Sequence, residues 1–209
     1  MENRKQEIRA VKDKHVKIDI MPGHFATNHS HVNYCVDMTQ IKTQHKMAKR
    51  SAKILADMFS STHIDTIVCL EGTEILGAFL ADTLSENGIN SGTDIFILTP
   101  ELNANNQMIF RDNTQCYIWG KQVLLLISSV STGKTINRLS ECIQYYTGHL
   151  TGIGSIFSAV SKVNGTPINS IFTTVELPGY TTYYTSECPM CKSGQKVDAL
   201  VNSYGYSKI

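Results

Sequence analysis

The stretch "VLLLISSVSTGKTI", residues 123–136, decides how the rest of the chain is read. It opens as a continuous apolar run, the pattern of a strand covered on both faces. It ends in Thr132, Gly133, Lys134 and Thr135, just ahead of a helix-type sequence. The first N–H groups of a helix have no partner inside it, and the helix dipole favours an anion there. A strand feeding such a turn predicts a phosphate cradle. A plain strand-to-helix turn with a Ser/Thr cap fits the same residues. A P-loop fits poorly. Its first glycine position falls on Ser128, and no later apolar strand ends in an aspartate for magnesium.

Working outward, "DTIVCLE" (65–71) and "DIFILT" (94–99) read as further buried strands, and "GIGSIFSAV" (153–161) and "SIFTTVEL" (170–177) as later ones. "TEILGAFLADTLSENG" (73–88) and "KTINRLSECIQYYTG" (134–148) read as helices between them. Ile41, His45, Ala48, Ala52, Leu55 and Phe59 share one face of another helix, with Thr39 as its cap. Strands alternating with helices predict an α/β fold, a parallel sheet with helices on both faces. Ligands of such sheets bind beyond the carboxyl ends of the strands. Loops 71–74, 100–115 and 128–135 are therefore expected to rim one site. The Asn-rich segment 100–115 reads as a long loop or loose ribbon. Near the start, "VKIDI" (16–20) alternates like a strand. The segment 21–39 begins as a turn at Pro22 and Gly23 and continues as a strand in "VNYCVDM".

The totals narrow the function. The chain has 209 residues, 42% apolar and 18% charged, with a formal charge of +1. That suits one globular domain with at most a small appendage, and gives no support for a nucleic-acid or membrane surface. No apolar run is long enough to span a bilayer, and "MENRKQEIRAVKDKH" lacks the apolar core of a secretory signal. Cys35, Cys69, Cys116 and Cys142 read as reduced, buried thiols, which points to a cytoplasmic protein.

Two clusters stand apart. His24, His29 and His31 lie in a polar turn, and fit ligand-contacting donors, metal ligands or solvated side chains. Cys188 and Cys191 in "CPMCKSG" (188–194) have metal-knuckle spacing, yet no second cysteine pair follows. Histidines from residues 24–31 or a partner subunit would have to complete a zinc site; a small turn with free thiols fits as well.

The quoted stretch resembles the phosphoribosyl diphosphate motif of type I phosphoribosyltransferases. That motif is an apolar strand, two acidic residues, two apolar residues, an acidic or small residue, then Thr-Gly and a helix. "IVCLEGTEILGAFLADTLSENG" resembles the family's pyrophosphate-loop strand, turn and helix. "GHFATNHSHVNYCVDM" resembles the hood of orotate phosphoribosyltransferases, and "CPMCKSG" the Cys-Pro-x-Cys tail of some bacterial orotate enzymes. The resemblance spans most of residues 20–195. It implies a type I phosphoribosyltransferase-like sheet flanked by helices with a small N-terminal hood. Its parts would be an arm and hood (1–40), an α/β core (41–187) and a C-terminal tail (188–209).

By this resemblance Ser131, Thr132, Gly133, Lys134 and Thr135 hold a ribose 5-phosphate. Glu71, Gly72, Thr73 and Glu74 line the pyrophosphate pocket. His24, Asn28, His31 and Tyr34 shape the base pocket, and 100–115 forms the lid. The family's acidic pair falls on Ile127 and Ser128, or on Ser128 and Ser129 with a one-residue gap, so Ser128 and Ser129 face the ribose with no carboxylate left in either register. A serine bonds a hydroxyl but brings no charge, and a neutral bond contributes about 0.5–1.5 kcal/mol against about 1.5–3 for a charged one. The lid holds Arg111 as its one cation.

The implied function is phosphoribosyl transfer from phosphoribosyl diphosphate to orotate or a related base in pyrimidine biosynthesis. Mg2+ would assist and the assembly would be a homodimer; Zn2+ at the tail is an expectation from the Cys188–Cys191 spacing alone, not from the resemblance. Catalysis would rest on positioning and charge stabilisation, with no covalent nucleophile. The competing expectation is a non-catalytic protein that senses a nucleotide or phosphoribosyl diphosphate on the same fold.

Overall fold

The structure, a computed structural model, describes residues 2–28, 30–103 and 107–209; the expectation for His29 lies outside them. The chain begins with β1 (Gln6–Arg9), β2 (Lys17–Ala26) and β3 (His31–Asp37), then α1 (Thr39–Thr43) and α2 (His45–Phe59). It continues through β4 (Thr66–Cys69), α3 (Glu74–Glu86), β5 (Phe96–Leu98), a small ribbon of β6 (Glu101–Leu102) and β7 (Met108–Ile109), and α4 (Asp112–Gln115). Then come β8 (Gln122–Val130), α5 (Lys134–Tyr145), β9 (His149–Ser158), β10 (Lys162–Val163) and β11 (Thr166–Thr173). The tail adds β12 (Thr182–Tyr183), α6 (Pro189–Lys192), β13 (Ala199–Asn202) and β14 (Gly205–Lys208).

The central sheet has the order β10-β11-β9-β8-β4-β5. All its pairings are parallel except that of the short β10 with β11. The strands between the edges read as apolar because both faces are covered: Ile67, Val68, Leu124, Leu125 and Leu126 have no exposed surface. One face packs on α2 and α3 through Leu55, Phe59, Leu76 and Leu80. The other packs on α5 through Ile136, Leu139 and Ile143. β5 is an edge strand, with Ile97 substantially exposed, so "DIFILT" is less buried than its composition predicts. The strand order reverses between β4 and β8, and the crevice beyond their carboxyl ends is where such sheets take ligands.

A second sheet runs β12-β3-β2-β13-β14, with β1 also on β2. It is the hood, and the tail strands β13 and β14 belong to it. β13 lies parallel to β2, with Ala199 opposite Phe25.

Four local expectations differ from what forms. The turn expected at Pro22 and Gly23 is an irregularity within β2, where the register with β3 shifts between Pro22 and Phe25. Proline is tolerated at such a bulge because no ladder donor is needed there. The chain instead reverses between β2 and β3, where Thr27 Oγ1 donates to the Ser30 carbonyl at 2.9 Å. The long helix expected from Thr39 is broken at Gln44, whose ψ of 113° is extended, and Met38 rather than Thr39 is the flanking residue. His45 is consequently exposed rather than on the buried face. Among the cysteines, Cys35 and Cys69 are buried and burial pushes both thiols up to about 12, whereas Cys116 is exposed.

Candidate functional site

The register places two loops side by side at the switch point. Cys69 pairs with Leu126, so two residues further on Glu71 meets Ser128. Ser128 Oγ donates to Glu71 Oε2 at 2.6 Å. The loop after β4 is tight: Glu71 and Gly72 both have left-handed backbones, with φ of 59° and 79°. A non-glycine residue in that region is strained and is held there by its surroundings. Thr73, fully buried, does part of the holding. Its hydroxyl faces the Leu70 and Leu126 carbonyls at 2.9 and 3.1 Å, and accepts the Leu70 N–H at 3.1 Å. Glu74, by contrast, is exposed in the first turn of α3, with Thr99 Oγ1 at 3.3 Å from its carboxylate.

Burial pushes the Glu71 carboxyl above the usual carboxylate range. Bonds from the Ser128 hydroxyl and from the Ser129 and Ser128 N–H groups, and the nearby Lys42 ammonium, act against that rise. Lys42, on α1, is 8% exposed, and its Nζ donates to the Glu71 carbonyl at 3.3 Å. It also donates to the Ser203 carbonyl of the tail. Burial lowers its pKa, opposed by Glu71, Asp37 and Glu74. The break at Gln44 separates Lys42 from the helical face read for α2, and sequence periodicity carries no sign of that break.

The loop after β8 opens α5 as expected. Gly133 has φ 77° and flanks the helix, with no side-chain cap. A Cβ at Gly133 would lie 2.4 Å from Val163 Cγ2, so the β10–β11 hairpin leaves room for glycine alone. Among the described residues none accepts a hydrogen bond from the N–H groups of Thr132, Gly133, Lys134 or Thr135. Thr132, Lys134 and Thr135 are exposed. The amides are thus accessible to an outside anion, and Lys134 Nζ stands 5.1 Å from the ring centroid of Tyr184. Ser128 is fully buried, so Glu71 is the group its hydroxyl serves; Ser129 is partly exposed. In the ribbon, Arg111 is paired with Glu101 through two 2.7 Å bonds.

The hood residues divide. Asn28 lines a shallow polar pocket with Thr27, Leu200, Tyr204 and Tyr206. Tyr34 packs at the margin of the main core. His24 and His31 converge on the tail pair: ligand atoms of His24, His31, Cys188 and Cys191 all lie within 4.8 Å of one another, a group that can hold a metal ion.

This topology, with its hood and its two loops at the switch point, is the type I phosphoribosyltransferase fold. Solved structures similar to the chain include the UMP synthase of Leishmania donovani, at TM-score 0.57 and 13% identity, over 84% of this chain and 36% of that one. The adenine phosphoribosyltransferase of Thermoanaerobacter pseudethanolicus is similar at TM-score 0.52 and 17% identity, over 82% and 96%. The Mycobacterium tuberculosis orotate phosphoribosyltransferase, solved with inorganic phosphate, is similar at TM-score 0.50 and 12% identity, over 69% and 80%. No protein-family model matches the sequence, and neither does any curated protein.

Proposed function

We propose that the chain binds a phosphorylated ribose, phosphoribosyl diphosphate or a nucleotide, and transfers phosphoribose to orotate or a related base. The observation that carries this is the open set of N–H groups at Thr132–Thr135, facing no protein acceptor among the described residues. The 5-phosphate sits on those amides and on the Thr132 and Thr135 hydroxyls. Glu71 stands beside the ribose position in place of the two carboxylates missing at Ser128 and Ser129. Gly72 forms the pyrophosphate side, on a loop that the buried Thr73 holds in shape rather than lines, and Asn28 and Tyr34 the base side.

A hard cation suits this corner, because a carboxylate oxygen and serine hydroxyls are its preferred donors. Glu71 and Ser129 would hold Mg2+, which supplies charge neutralisation for a leaving pyrophosphate. The tail cysteines take a Zn2+ ion of their own, apart from the phosphate chemistry, since thiolates prefer softer metals.

The second reading, a non-catalytic sensor, is favoured by the raised carboxyl of Glu71. A lone buried carboxyl that resists ionisation gives an oxocarbenium-like ribose less charge than an ionised pair does. Calorimetry with phosphoribosyl diphosphate, with and without Mg2+, tests the shared core of both readings. Saturable binding is expected, and no heat with any phosphorylated ribose would overturn both. Loss of orotate absorbance in the presence of phosphoribosyl diphosphate then separates transferase from sensor.

A further inference from the structure

We infer that His24, His31, Cys188 and Cys191 together bind one zinc ion, in a closed structural centre that fastens the tail to the hood. This rests on the tail zinc assigned above and is independent of the phosphoribosyl reading.

The two pairs come from opposite ends of the sequence. His24 lies on β2 and His31 begins β3, and the pairing of these two strands, with Ala26 opposite His31, brings them together within the hood sheet. Cys188 immediately precedes α6 and Cys191 lies within it, with the chain folded back by Lys192 N–H to the Cys188 carbonyl and Gly194 N–H to the Cys191 carbonyl. The four donors meet at close range. His24 Nε2 is 2.8 Å from His31 Nδ1, 3.6 Å from Cys188 Sγ and 3.5 Å from Cys191 Sγ. His31 Nδ1 is 3.2 Å from Cys191 Sγ. With Zn–N near 2.05 Å and Zn–S near 2.3 Å, a tetrahedral ion has N···S edges of about 3.6 Å and N···N edges of about 3.4 Å. The three N···S separations match within a few tenths of an ångström. The histidine pair is closer, and a small rotation of the His31 ring opens it.

Protonation points the same way. His24 Nδ1 lies 2.8 Å from the Gln195 carbonyl oxygen, which can only accept. The proton is therefore on Nδ1, and Nε2 turns a bare lone pair toward the sulfurs and His31. Such a carbonyl partner is the outer support that orients a metal-binding imidazole. The His24 main chain is also gripped: its N–H donates to Asp198 Oδ2 at 2.9 Å and its carbonyl accepts the Asp198 N–H at 2.7 Å. Arg4 in turn holds Asp198 Oδ1. His24 and Cys188 have no exposed surface and His31 is 8% exposed, so the centre is shielded except at Cys191. Four protein ligands of the S2N2 type leave no open position, which marks a structural ion.

The consequence reaches the site. The turn joining the two histidines carries Asn28, and the pocket lined by Asn28, Leu200, Tyr204 and Tyr206 is built from that turn and the tail hairpin. The ion locks those two pieces together.

The test is metal content of the full chain purified under reducing conditions, followed by replacement with Co2+. About one equivalent of zinc is expected, with intense Co2+ absorption of the tetrahedral type and a sulfur-to-cobalt charge-transfer band. His31→Asn and Cys191→Ser should each lower zinc affinity at least about a hundredfold while circular dichroism shows a folded chain. Wild-type protein that holds less than about a tenth of an equivalent after zinc addition would overturn both the centre and the tail zinc. Full zinc retention in His31→Asn would overturn the four-ligand centre and leave a zinc on the cysteines. Should the variants not fold, the wild-type Co2+ spectrum decides: octahedral-type weak absorption refutes the centre.

Discussion

The crevice beyond β8 and the junction between tail and hood are built on opposite terms. At the crevice, the amides of Thr132–Thr135 meet no acceptor among the described residues, and Glu71, on a left-handed backbone, carries a carboxyl whose pKa burial raises despite its serine bonds. At the junction, every donor has a neighbour: His24, His31, Cys188 and Cys191 point at one another, and Gln195 and Asp198 complete the arrangement. Unsatisfied groups cost stability and are kept where a ligand comes and goes. Satisfied clusters hold a shape. One region is prepared for exchange, the other for permanence.

The contrast breaks most visibly at the junction. Stripping the metal with a chelator, or replacing Cys188 with serine, should lower the melting temperature by about 6–12 °C, the equivalent of about 3 kcal/mol in a chain of this length. The loop 131–135, which is remote from His24, His31, Cys188 and Cys191 in sequence, should still bind inorganic phosphate once the chain is refolded at low temperature. Next in size is Ser128→Asp. Its carboxylate would be buried against that of Glu71, and like charges at that range resist joint ionisation. A loss of about 2–3 kcal/mol at pH 7 is expected, shrinking toward pH 5 and recovered in part by Mg2+, as read by denaturant unfolding.

Gly133→Ala sharpens the other side. The new methyl group meets Val163 at a backbone with φ 77°, so a cost of about 1–2 kcal/mol is expected, together with roughly tenfold weaker phosphate binding by calorimetry. Glu71→Gln is smaller and signed by pH. The folded carboxyl is raised above its unfolded value, so the unfolded chain gives up the proton more readily and the charge opposes folding at neutral pH. The variant should therefore be more stable than wild type by about 1 kcal/mol or less at pH 7, the gap closing as pH falls through the folded pKa. Its Mg2+-dependent ligand binding should be lost. Arg111→Ala should change stability by less than about 0.5 kcal/mol, because its pair with Glu101 is exposed.

The sequence announced the central sheet because its strands are covered on both faces and its helices carry one apolar stripe. Leu124–Ile127 and the 134–148 helix could hardly be read otherwise. The turn that opens α5 was legible for the same reason, since Thr-Gly-Lys-Thr sits where a strand must turn into a helix. The Glu71–Ser128 contact was not, because it depends on the register of β4 against β8, which no local pattern records. Lys42 was hidden by the break at Gln44, and the hood strand through Pro22 by a bulge that looks like a turn in one dimension. The zinc-type cluster was half visible. Cys188 and Cys191 declared their spacing, but their partners lie more than 150 positions away, and it takes the antiparallel pairing of β12 with β3 and the parallel pairing of β13 with β2 to bring them within reach.

That pairing also orders events in time. Because the hood sheet needs β13 and β14 to finish it, residues 6–37 leave the ribosome with one side of β2 incompletely covered. The central layers can assemble meanwhile, yet the hood waits for residues 199–208, so synthesis must run nearly to the end of this segment before the molecule can close.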